Sequence, residues 1–159
     1  MSKYELNKKE KREWPSFESQ SIDLGIQYPR NFVAKDSDDL LNTIHIYDPK
    51  GNGRFNALIK IFDAPANESL RDIGYGIVEV ARFRFNYSRM RSGLVEYDGQ
   101  EAFEHEYTTA DIYGGTRRFY QLIYPFDGEL YLATLETTPG KILGDKKKLF
   151  KILRSQEML

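Results

Sequence analysis

The sequence predicts an α+β fold: an antiparallel β-sheet flanked by a central helix and a C-terminal helix. Three observations predict it. Apolar residues recur at every second position in short runs, as in "SIDLGIQY", where Ile22, Leu24 and Ile26 share one side of an extended chain. Tight-turn signals such as "DPKGNGR" and Asp98-Gly99 separate these runs, and hairpin connections make neighbouring strands antiparallel. Two segments shift to helical spacing, and helices set apart from the strands in this way cover a sheet in layers.

The elements follow in order. Residues 1–11 are charged and poor in large apolar groups, so they read as a flexible tail before one domain, 12–159. A first strand runs through Glu13 to Phe17, at an edge because Pro15 cannot donate to a ladder. The second runs from Ser21 to Tyr28, where Pro29 ends it. Leu40 to Tyr47 and Phe55 to Phe62 form a hairpin around Asp48 to Arg54. In "ESLRDIGYGIVEVARFRF", Leu70, Ile73, Ile77, Val80 and Ala81 fall at helical spacing. Ser69 with Asp72 has the form of a capping box, and Asn67 competes as N-cap. Gly74 and Gly76 weaken this helix, so close approach to the sheet is expected there. Gly93 to Tyr97 and Ala102 to Thr108 form a hairpin across Asp98-Gly99. Arg117 to Tyr124 and Glu129 to Thr137 form the last one, after a turn in "ADIYGGT". Ile142 to Leu153 closes the chain as a helix, held by Leu149, Phe150 and Leu153. The strands are expected to share one β-layer, sealed by the two helices.

Composition narrows the function. The chain has 159 residues, enough for a real core. Its net charge of -1 argues against nucleic acid as partner, because such binding usually shows a basic excess. Without cysteine there is no disulfide, thiolate metal site or Cys nucleophile. No run approaches the roughly 18 apolar residues that span a bilayer. The polar start lacks the apolar middle of a signal peptide. Two localisations stay open: cytoplasmic as the chain stands, or a cell envelope if it is the mature part of an exported protein.

Chemistry-bearing motifs are sparse. His105 lies in "EAFEHEY", but in a strand Glu104 and Glu106 point away from it, so the three do not converge unaided. A structural histidine is the preferred reading over a catalytic or metal one. No G-x-S-x-G elbow, P-loop or dinucleotide fingerprint occurs. No catalytic, cofactor-binding or metal residue is therefore assigned, and no cofactor is expected. The strongest local signal is basic and aromatic: "RFRFNYSRMR" and "TRRFYQLIY". Arg82, Arg84, Tyr87, Arg89, Arg117 and Arg118 are the candidate partner-binding surface. Arg118, Tyr120 and Leu122 share one strand face and Arg117, Phe119 and Gln121 the other, read as a core face and a wet face. The lysines of the last helix read as a solvated face.

Several stretches resemble the PsbP-like superfamily, which includes photosystem II extrinsic proteins, bacterial lipoproteins and a Ran-binding import factor. "SIDLGIQYPRNF" is similar to its opening strand, with Phe32 where the family has Trp. "LIKIFD" precedes "ESLRDIGYGIVE" where a core strand precedes the family's long helix. "YDGQEAFEHEY" resembles its hairpin, and "GELYLATLETTPG" with "KKLFKILRSQ" its last strand and closing helix. The final "ILRSQEML" lacks the family's aromatic after Ser155.

The resemblance implies α/β/α layers and a non-enzymatic interaction or assembly role, on a protein complex and with peripheral association at a cell envelope. It makes Tyr28-Pro29 a scaffold corner and not an active-site loop. The alternative is a small-ligand or phosphate-binding protein using the aromatic sheet face; a hydrolase ranks third.

Overall fold

The computed structural model describes residues 13–51, 54–110 and 113–159, so the expected tail, 1–11, lies outside the described residues. The strands are β1 (Ser16–Glu18), β2 (Leu24–Gln27), β3 (Val33–Asp36), β4 (Thr43–Tyr47) and β5 (Asn56–Ile61). They continue with β6 (Ser88–Tyr97), β7 (Gln100–Ala110), β8 (Thr116–Phe126), β9 (Glu129–Thr137) and β10 (Glu157–Met158). The helices are α1 (Leu70–Ala81) and α2 (Ile142–Arg154), the latter entered through a 3-10 turn at Pro139–Lys141. A seven-stranded antiparallel sheet in the order β3-β4-β5-β9-β8-β7-β6 forms the middle layer. The Asp98-Gly99 hairpin forms as expected, with φ of 51° and 74° at its two central residues, the pair of positive angles that a two-residue turn needs to match strand twist.

The two faces of this sheet are covered differently. On one, α2 contributes Ile142, Leu149, Ile152 and Leu153 to a core with Ile44, Ile46, Ile59, Leu122 and Leu135. On the other, α1 sets Ile73 and Val78 on Phe103, Ile123 and Leu132, and Ala81 on Tyr107 and Phe119. Ser69 caps α1, its Oγ accepting from the Asp72 amide at 3.1 Å. The glycine expectation holds at Gly74, where an added Cβ would stand 2.2 Å from the Phe103 ring. It does not hold at Gly76, where a Cβ would meet nothing within 4 Å.

Three expectations are corrected. The single β-layer divides: β1, β2 and β10 form a separate three-stranded sheet packed beside α2. Asp23, at φ 51°, shortens the second strand to four residues, yet Ile22, Leu24 and Ile26 all remain buried. Gly25 permits the crossing of the chain's end, since its Cβ would lie 3.3 Å from Glu157 and Leu159. The strand β3 was not foreseen, and its hairpin with β4 turns through residues 37–42. That turn exposes Leu40 and Leu41, which the alternation had placed in a strand. Finally, β8 has no wet face through its middle. Phe119 and Ile123 are buried under α1, and Tyr120, Leu122 and Tyr124 are buried on the other side.

The corner at Tyr28-Pro29 forms as the resemblance implies. Tyr28 packs against the core, Pro29 is buried, and the Phe32 amide donates to the Pro29 carbonyl at 3.1 Å.

Candidate functional site

His105 sits on the α1 face of β7 and is 1% exposed. Tyr87 Oη and His105 Nε2 are 2.7 Å apart, and His105 Nδ1 is 2.9 Å from Gln121 Oε1. Gln121 Nε2 then donates to Thr134 Oγ1 at 3.3 Å. A neutral ring protonated at Nδ1 satisfies this chain, with the Tyr87 hydroxyl donating to Nε2. Burial holds the His105 pKa below its ordinary value; the Gln121 hydrogen bond opposes this and nearby Arg89 adds to it. Burial likewise raises the Tyr87 and Tyr107 hydroxyls. The rings pack in sequence: His105 on Tyr107 at 4.6 Å, Tyr107 on Phe119 at 4.8 Å and 4°, and the Arg84 guanidinium over Phe119 at 4.4 Å.

The carboxylates beside His105 in sequence lie on the opposite face, as strand alternation requires. Glu106 is buried and bound by Arg118, whose Nε donates at 2.9 Å, and by Lys146 of α2 at 2.8 Å. Arg91 stands 3.7 Å from the same carboxylate. Burial alone would raise the Glu106 pKa, but Lys146 and Arg118 outweigh it and hold the group below its ordinary value. Tyr120 donates to Glu104 at 3.0 Å, and burial next to that carboxylate drives the phenol far upward. This cluster joins β6, β7, β8 and α2. The other histidine, His45, is half-buried against Asn56 Oδ1 and packs at a tilt of 32° on Tyr47, with ring centroids 4.6 Å apart. Among the described residues no three His, Cys, Asp or Glu side chains are grouped to hold a metal ion.

The six candidate partner-binding residues separate into groups. Arg82, Arg84, Tyr87 and Arg89 gather where α1 ends and β6 begins. Arg82 pairs with Glu79 at 2.9 Å, and Arg89 reaches Ser92 at 3.4 Å. Arg117 shares the α1 face of the sheet but is paired with Glu136 at 3.0 Å. Arg118 lies on the α2 face, committed to Glu106. Of the α2 lysines, Lys146 is similarly committed, and Lys151 lies 4.1 Å over the Trp14 ring.

The sequence reading missed the apolar members of the first group. Phe83 is 91% exposed, Val80 73%, Phe85 60% and Met90 51%. Phe83 and Phe85 alternate with Arg82 and Arg84 just past the last apolar position of α1. That was the available signal, once the helix end at Ala81 is known. Between α1 and the uncovered part of the sheet lies a pocket of about 510 Å³, bordered by Phe62, Ile73, Ile77, Leu132, Tyr107 and Arg84. No described helix is long and apolar enough to cross a membrane.

These features sit on a known architecture. A cyanobacterial PsbP (CyanoP) from Synechocystis sp. PCC 6803 superposes with TM-score 0.63 at 16% identity, covering 92% of this chain and 93% of that one. The fold is PsbP-like. LpqN, involved in cell envelope biogenesis of Mycobacterium tuberculosis, shares the PsbP-like layers at TM-score 0.57 and 9% identity, over 91% of this chain and 84% of that one. A Bacteroides thetaiotaomicron VPI-5482 protein matches at TM-score 0.62 and 13% identity, over 92% of this chain and 49% of that one. No protein-family model and no curated protein matches the sequence.

Proposed function

We propose that this PsbP-like chain is a non-catalytic interaction module that docks on an acidic surface of a larger protein complex. The observation that carries the reading is the exposed strip at the end of α1. Phe83, Phe85, Val80 and Met90 stand in solvent among Arg82, Arg84 and Arg89. Exposed aromatics interleaved with arginine match the composition of interface hot spots. The placement of His105 supports a non-catalytic role. Both its ring nitrogens are engaged by neutral side chains, and the neighbouring acids face the other way. The LpqN match supports, as an analogy of fold, a setting at a cell envelope.

A photo-crosslinking residue placed at 83 tests the reading. The control position is Leu143, which is 77% exposed on α2. Position 83 is expected to yield a discrete protein adduct in the native cell, and position 143 none. The position-83 adduct should disappear when Arg82 and Arg89 become Glu. Equal adducts from both positions, or indifference to the charge reversal, would move the docking site elsewhere.

A further inference from the structure

The pocket beside α1 has a chemistry of its own. Its volume falls in the range of small-molecule sites. It follows the helix from Asp72 to Ala81, about 14 Å at the rise of an α-helix, and continues to Arg84. Phe62, Ile73, Ile77, Val80 and Leu132 make its length apolar. Gly76 adds no side chain to the groove, and a Cβ there would touch nothing.

The two ends differ in charge. At the start of α1, Lys60 is outnumbered by Glu68 and Asp72, so that end is net acidic. At the other end Arg84 has no acidic companion among the pocket-lining residues, and among the described residues it makes no ion pair. Its guanidinium is stacked on Phe119, a contact that uses the plane of the group and not its in-plane N–H donors. The Tyr107 hydroxyl, on a side chain 2% exposed, lies next to the same guanidinium. Two donors therefore meet at the end of an apolar trough.

We propose that this pocket binds an amphipathic anion, its apolar body along α1 and its single carboxylate or phosphate head on Arg84 and Tyr107. The site shares Val80 and Arg84 with the docking strip, but Phe83, Phe85, Arg82 and Arg89 do not line it, so the two readings can be tested apart.

Methyl-resolved NMR titration with decanoate, decyl phosphate and 1-decanol tests it. Saturable shifts are expected at Ile73, Ile77, Val80 and Leu132, and none at Ile142 or Leu149 of α2. The anions are expected to bind at least 10-fold more tightly than the alcohol. Arg84→Gln, at an exposed position, is expected to remove that preference without disturbing the unliganded spectrum. Arg82→Glu with Arg89→Glu, neither of which lines the pocket, is expected to leave anion binding unchanged while removing the position-83 adduct. Shifts at α2, equal affinity for anion and alcohol, or an unchanged preference in R84Q would overturn the assignment. So would the absence of saturable binding.

Discussion

The two faces of the seven-stranded sheet are built from similar strands but finished differently. On the α2 face, helix and small sheet together seal a core of aliphatic and aromatic side chains, and the buried acids are paired: Glu106 by Arg118 and Lys146, and Asp145 by the Thr137 hydroxyl. On the α1 face, a single twelve-residue helix covers only part of the sheet. The remainder is an open pocket, and the helix ends in exposed phenylalanines. Closely packed interiors tolerate little change, while function needs accessible groups. The α2 face is therefore the stability side, and under the proposed function the α1 face is the recognition side.

That division makes ordered predictions. Glu106→Gln should cost the most, about 3–5 kcal/mol in urea unfolding, because Arg118 and Lys146 lose the carboxylate that compensates them. The pH dependence has a defined sign. The folded pKa of Glu106 is below its ordinary value, so its contribution is full above the ordinary value and is lost as pH falls through the folded one. A variant as stable as the parent would show that the cluster is dispensable. Leu149→Ala, at a fully buried α2 position, should cost about 2–4 kcal/mol by the same measurement. A loss under about 1 kcal/mol would contradict a sealed α2 face.

Gly74→Ala drives a methyl into the Phe103 ring and should cost about 1–3 kcal/mol. Amide exchange should accelerate along α1 and not along α2; a uniform acceleration would erase the distinction between the faces.

His105 gives a smaller, pH-gated effect. Its folded pKa lies below the ordinary value of about 6.5, so as pH falls the unfolded chain takes up the proton first. Stability should be level above about pH 7 and decline from about pH 6.5 toward the lower folded value. His105→Phe should abolish that slope, and its persistence would assign the titration to another group. Val80→Ser, at an exposed site of the recognition side, should change stability by no more than about 0.5 kcal/mol.

Local grammar was readable in the sequence. Apolar alternation marked Leu24 and Ile26, a Ser cap and helical spacing marked α1, and Asp98-Gly99 marked a hairpin. These signals act through neighbours in the chain, so they survive without knowledge of the fold. Val33–Asp36 was missed because "VAKD" has no alternation long enough to register, and it becomes a strand only by pairing with β4. Glu157–Met158 is a two-residue strand defined wholly by β2. Arg118 looked like a surface arginine beside Arg117; strand alternation separates them, but only the placement of Glu106 and Lys146 shows that Arg118 is engaged.

The residue order thus settles α1, α2, the longer strands and the hairpins with strong turn signals, because each is governed by backbone preference and side-chain period over a few residues. Partition into two sheets, the pocket beside α1 and the exposure of Phe83 follow from long-range packing. That packing depends on which surfaces remain after α1, α2 and the chain's end have taken their places, and no local pattern records it.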